Sequence, residues 1–335
     1  MKKFWLKSRI FIILLLLLVL AVFLIFQSDY SFGRKTDFGV SFSPDYAVDL
    51  GLNWQTAYLA ILNDLKIDNI RLSAYWNKIE PQVGRYDFKD LDWQINQATN
   101  HNAKIVLAVG RRLPRWPECH DPNWLNSLES QQVDQKILGM IKVVVNRYQS
   151  NQNIVYWQVE NEPLLSFFGT CPPPDQNFLH QEVELVHQID PSRLVIVTDS
   201  GELSAWQKAA SVGDILGTTM YRIVWNQKTG FFKYWFNPPA YYAVKSQLTE
   251  FFHRNLKSVM VTELQMEPWS LNKRMIDMTQ AEQQTSFDLE KFKSNIDYVK
   301  KTGLNPVYLW GVEYWYWQKT LGNDSMWNEA KTLWQ

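Results

Sequence analysis

Two short segments of this 335-residue chain place carboxylates where they could do chemistry. Trp157-Gln158-Val159-Glu160-Asn161-Glu162-Pro163 and Val261-Thr262-Glu263-Leu264-Gln265 each run from an apolar stretch into glutamate. Two carboxyl groups facing each other across a cleft suit cleavage of a glycosidic bond. One protonates the leaving oxygen while the other attacks or stabilises the cationic sugar carbon. A single such glutamate would read as a surface loop acid, but two placements, one with Asn beside it, read as a site.

Chemistry of this kind needs elements that bring distant segments to one face. Short apolar or β-branched runs at 38–43, 69–74, 104–110, 154–159, 194–198, 215–220, 258–262 and 306–310 read as eight strands. Segments of helical period lie between them, for example 53–66, 134–149 and 287–303, and a short helix over 325–334 closes the chain. Gly303 is placed to end the helix before the eighth strand. Eight such units with no linker predict a single (β/α)8 TIM barrel over 37–335, with its chemistry at the C-terminal ends of the strands. Both glutamate segments fall at such ends, on strands four and seven.

The N-terminus is of a different kind. Residues 10–26 contain no polar side chain and follow Lys2, Lys3, Lys7 and Arg9. That predicts a basic tail over 1–9, a transmembrane signal-anchor over 10–26 and a linker over 27–36. No small-x-small cleavage site follows, so retention is favoured over cleavage and secretion. The charge bias places the N-terminus in the cytoplasm and the barrel outside, as a single-pass protein of the cell membrane with the lipid bilayer as a partner. In that compartment Cys119 and Cys171, the only two cysteines, could pair as a disulfide.

With 34 basic and 34 acidic residues, nothing in the charge balance points to nucleic acid. The five histidines form no His-x-His at a strand end, so no metal is expected. No GxGxxG follows any strand and no glycine-rich phosphate loop follows strands seven or eight, so no nucleotide or other cofactor is expected.

The strand-end residues resemble those of the clan A glycoside hydrolases, (β/α)8 retaining enzymes that include family 5 and its relatives in families 10, 39 and 42. Trp157 to Pro163 is similar to their Trp-x-x-x-Asn-Glu-Pro. The resemblance implies Glu162 as acid/base, in preference to Glu160, with Asn161 touching the substrate 2-hydroxyl. It implies Glu263 as nucleophile, Arg71 as its hydrogen-bond partner, Tyr221 as the aromatic beside it and Trp310 as the floor of the sugar site. Trp76, Glu80-Pro81, Gly84 and Tyr86-Asp87-Phe88 resemble the loop after strand two. The chain departs from family 5 at Gly110-Arg111-Arg112 and at Thr219, where histidines are common. Arg71 would favour the charged form of Glu263, and that charge would raise the pKa of Glu162.

The resemblance therefore implies a membrane-anchored retaining glycosidase acting on an oligosaccharide or polysaccharide, with β-linkages favoured. A glycan-binding barrel without catalysis and a transglycosylase using the same glutamates are the alternatives. Glu267 and Glu313, beyond strands seven and eight, could hydrogen-bond a sugar or serve structure. His120 is the one histidine placed to reach substrate, and Trp315 and Trp317 are expected in the cleft wall. The aromatic-rich connection over 221–242 could stack on sugars, pack on itself or touch the membrane.

Overall fold

The computed structural model describes residues 2–166 and 168–335. Eight parallel strands close into a barrel. They are β1 (Phe38–Ser41), β2 (Asn69–Ser73), β3 (Lys104–Val109), β4 (Ile154–Val159), β5 (Val195–Asp199), β6 (Ile215–Met220), β9 (Ser258–Gln265) and β10 (Val307–Trp310). Between β6 and β9 the chain forms an antiparallel hairpin of β7 (Ile223–Asn226) and β8 (Gly230–Lys233). Around the barrel the neighbours run β1, β10, β9, β6, β5, β4, β3, β2. The expected (β/α)8 architecture is therefore the observed one, and strands seven and eight of the barrel are β9 and β10.

The strands are covered on both faces, which is why they read as continuous apolar runs rather than alternating ones. Val106, Ile196, Ile215, Met260 and Tyr308 pack together as one buried cluster, separate from the larger apolar cluster. Gly39 makes room for it, because a Cβ there would lie 2.8 Å from the Tyr308 ring. The larger cluster is built by amphipathic helices. The Ser130–Tyr148 helix buries Val133, Ile137, Met140, Ile141, Val144 and Tyr148 at helical spacing. The Leu289–Thr302 helix starts at Asp288, whose carboxylate accepts from the Lys291 N–H, and ends at Gly303 with φ 72°.

A helix over Lys2–Gln27 precedes the barrel. Its Arg9–Phe26 stretch has a mean hydropathy of 3.3 and none of it is buried. It is long and apolar enough to cross a membrane, a test that a signal sequence also passes. Two residues, Ser28 and Asp29, separate it from Tyr30, whose N–H donates to Lys301 O at 2.9 Å. At the other end of the barrel, a disulfide between Cys119 and Cys171 joins the loops after β3 and β4, with Cα atoms 5.4 Å apart.

Candidate active site

The site is organised by one arginine. Arg71, on β2 and 1 % exposed, extends its guanidinium across the barrel. It donates to Gln158 Oε1 (2.7 Å), Asn161 Oδ1 (2.7 Å), Glu263 Oε1 (3.0 Å), Thr262 O (3.2 Å) and Ser41 Oγ (3.4 Å). These partners lie on or just past β4, β9 and β1, so strand closure is what makes the cluster possible. A guanidinium this deep needs such partners, since a buried charge is tolerated only when paired and hydrogen-bonded.

Glu263 is 3 % exposed. Its second oxygen accepts from the Tyr221 hydroxyl at 2.9 Å. Tyr221 sits just past β6 and meets Trp269 edge to face, with ring centroids 5.3 Å apart. Two side-chain donors, Arg71 and Tyr221, therefore converge on Glu263.

Glu162 has the opposite surroundings. Its backbone is left-handed, with φ 43°, and its N–H donates to Thr198 Oγ1 at 2.7 Å. Left-handed non-glycine residues carry strain of about 1–3 kcal/mol and concentrate at functional sites. Its carboxyl meets one weak donor, the Thr219 hydroxyl at 3.4 Å. Its pKa is pushed well above the ordinary carboxyl value, first by burial and then by the charges of Glu263, Glu118 and Glu202. Burial, which the sequence did not expose, outweighs the neighbouring charge.

Asn161 joins the two halves. Its Oδ1 accepts from Arg71 and its Nδ2 donates one of its two hydrogens to Glu118 Oε2 at 3.2 Å. Glu118, on the loop after β3, is raised to about 8 by burial and then by Glu263. Glu202, three residues past β5, accepts from Tyr221 N (2.7 Å) and Tyr242 Oη (2.6 Å) and is raised to about 7 by burial. Neither acid emerged from the sequence, although both lie beyond strand ends and Glu118 adjoins a cysteine.

Glu160 serves structure. Its carboxylate accepts the N–H groups of Arg111 and Arg112, each at 2.6 Å, and fixes the loop after β3. Gly110 permits this, since a Cβ there would lie 2.2 Å from Glu160 Oε1. Glu182 lies against Glu160, and its pKa is pushed well up by burial and by that charge. In the loop after β2, Glu80 accepts from Trp76 Nε1 and from Gly84 N, both at 2.8 Å.

Trp310, expected as the sugar floor, is 8 % exposed and carries the Arg115 guanidinium 4.0 Å from its ring centroid. Arg115 also stacks on Tyr46 at 3.8 Å and pairs with Glu267 and Glu313. One face of Trp310 is thus taken by protein, and both acids considered for sugar contact pair with Arg115. Glu313 also accepts from Ser43 N at 2.6 Å. His120 is buried, its ring tilted against Tyr75 with centroids 4.2 Å apart and Nε2 3.2 Å from Arg115 O. Trp315 is a core residue and not cleft wall, fully buried and donating to Met266 O at 2.6 Å. Trp317 is partly buried and packs against the same core. Among the described residues no cluster of His, Cys, Asp or Glu could hold a metal ion.

Residues 55–333 match glycosyl hydrolase family 10. The chain belongs to that family. Family 10 lies among the clan A relatives that the strand-end residues resemble. The sequence is also 23 % identical over 171 residues to beta-galactosidase BgaA of Clostridium cellulovorans, covering 45 % of this chain and 26 % of that protein. This family 10 chain spans about a quarter of that relative's length. Among solved structures, GH5_18 from Streptomyces cattleya in complex with GlcNAc superposes with a TM-score of 0.59 at 13 % identity, covering 83 % of this chain and 70 % of that one. Xylanase 10B from Thermotoga petrophila RKU-1 in complex with xylobiose gives 0.53 at 13 % identity, with coverages of 82 % and 81 %. At such identities the likeness is one of fold.

Proposed function

We propose that this family 10 chain is a membrane-anchored retaining glycosidase that cleaves β-linked glycans outside the cytoplasm. Glu263 is the nucleophile and Glu162 the acid/base. The observation that carries this reading is the contrast between the donors to two buried carboxyls: Glu263 receives Arg71 and Tyr221, while Glu162 has one weak donor.

In the first step Glu263 attacks the anomeric carbon as Glu162 passes its proton to the departing oxygen, leaving a glycosyl ester on Glu263. Forming the ester removes the Glu263 charge, one of the causes holding the Glu162 pKa up. Glu162, now ionised, is then a better base for the water that breaks the ester. Arg71 stays bonded to Asn161 and to the barrel and holds both acids in register. The basic residues before the apolar helix favour the barrel outside the cytoplasm, and the described helix is consistent with a span.

The test is incubation of the full chain in detergent with a panel of 2-deoxy-2-fluoro glycosides, followed by intact mass. A covalent sugar mapping to Glu263 is expected, and none in Glu263→Ala. Glu162→Gln is expected to lower turnover of natural glycans about 10²- to 10⁴-fold. Near-normal turnover in both variants would overturn the assignment. A non-catalytic glycan-binding barrel is the second reading, motivated by the departures at Gly110-Arg111-Arg112 and Thr219. Glycan binding with no mass addition from any reagent would select it.

A further inference from the structure

We propose that the end of the barrel opposite the site rests on the bilayer surface, with Phe32, Phe251 and Phe252 entering the headgroup region. This rests on reading the N-terminal helix as a membrane span and adds how the barrel stands on it.

The attachment is short. Ser28 and Asp29 alone separate the apolar helix from Tyr30, which is bonded to Lys301. Ser28 N itself still donates to Ile25 O at 3.2 Å. Two residues extend at most about 7 Å. Tyr30 is seated closely, because a Cβ on Gly303 would lie 2.3 Å from its carbonyl oxygen. Lys301 to Gly303 lead into β10, so the tether joins the barrel at the N-terminal ends of its strands. The site lies at their C-terminal ends and faces away from the attachment.

The same end of the molecule carries uncovered apolar surface. The Pro239–Phe252 helix packs beside the Leu289–Thr302 helix, and the N-terminal helix approaches it. It runs toward the start of β9, so its last turn lies at the tethered end. Val244, Leu248, Phe251 and Phe252 fall at one helical spacing and are 39, 52, 63 and 67 % exposed, rising toward that end. Phe32, two residues beyond the tether, is 79 % exposed. The segments at this end carry exposed Arg34, Lys35, Arg254, Lys257, Lys300 and Lys301, with exposed Asp29, Asp37 and Asp297 and half-buried Glu250, and the Arg254 guanidinium lies 5.8 Å from the Phe251 ring centroid. Aromatic side chains accompanied by a basic excess are what an interface with anionic lipid favours, since the rings partition while lysine and arginine reach the headgroups. The aromatic hairpin of β7 and β8 follows β6 at the opposite end and takes no part.

The test uses the full chain in vesicles of phosphatidylcholine and phosphatidylglycerol, with a nitroxide on one introduced cysteine at a time. Both native cysteines are in the disulfide. Phe252→Cys reports the foot, Leu17→Cys the helix and Leu203→Cys the solvent side past β5, where Leu203 is 55 % exposed. Accessibility to oxygen relative to a water-soluble nickel chelate is read at each. The expected ratio at position 252 is at least threefold above that at 203 and approaches that at 17. A ratio at 252 equal to that at 203, with a lipid-like ratio at 17, overturns the docking and leaves the anchor standing. Low access to both reagents at 252 means a protein cover, such as a second copy, and also overturns it. An aqueous ratio at 17 removes the anchor reading and the docking with it.

Discussion

Replacing Arg71 with methionine keeps an apolar stem and removes the five hydrogen bonds of its guanidinium. The cost depends mainly on Glu263, which is 3 % exposed and would keep Tyr221 as its one side-chain donor. Breaking a buried pair by removing one partner destabilises by about 3–5 kcal/mol, because the remaining charge is left uncompensated. For a domain of about 300 residues that lowers Tm by about 5–8 °C. The measurement is thermal unfolding of wild type and Arg71→Met in detergent, beside the double variant Arg71→Met/Glu263→Gln. If the uncompensated charge dominates, the double variant regains about half of the loss, since it carries no buried charge at that point. A single variant within about 1 kcal/mol of wild type would refute the view of Arg71 as the organising group. So would a double variant less stable than the single one.

Stability should also fall as pH rises from about 5 to about 8. Glu118 is raised to about 8, and Glu202 and Glu313 to about 7. Between the ordinary carboxyl range and those values the folded chain therefore holds more protons than the unfolded one, and the stability they give is complete below about pH 4.5 and lost on going through pH 7 to 8. Glu118→Gln should make a plot of Tm against pH shallower over that range; a Tm that rises from pH 5.5 to 8 contradicts these environments. Separately, Cys119→Ser/Cys171→Ser opens a bridge across a sequence separation of 52. Chain entropy puts the loss near 4 kcal/mol, to be read from the urea midpoint, and an unchanged midpoint would mean that the two loops are ordered without the bond.

The parts of the fold that were legible in the sequence are those governed by local pattern. Every barrel strand begins within a residue of its expected start, because parallel strands buried on both faces must be short, apolar and bounded by polar turns. Arg71, Asn161 and Glu263 were legible for the related reason that they lie on, or just past, such strands. What was not legible sits in loops. Arg115 and Glu118 have left-handed backbones, with φ 82° and 71°, and no periodicity announces which way such residues turn their side chains. The guanidinium over Trp310, the burial of His120 and the pairing of Glu267 and Glu313 with Arg115 all stem from that one loop. The β7–β8 hairpin was hidden for a different reason, since its four-residue strands are flanked by aromatics that read equally well as loop. Trp315 shows the limit of placing a residue by its distance past a strand. The Val312–Thr320 helix turns it inward, onto Met266.

The Glu160–Glu182 contact has a use outside catalysis. Two buried carboxyls in contact cannot both be ionised, so one of them, Glu182 by its raised pKa, carries a proton as a structural component. An amide has the same shape and supplies a donor at all pH values. Glutamine at position 182 would remove that proton from the pH dependence of the barrel's stability, so it is an engineering handle on storage and processing conditions at a position outside the site.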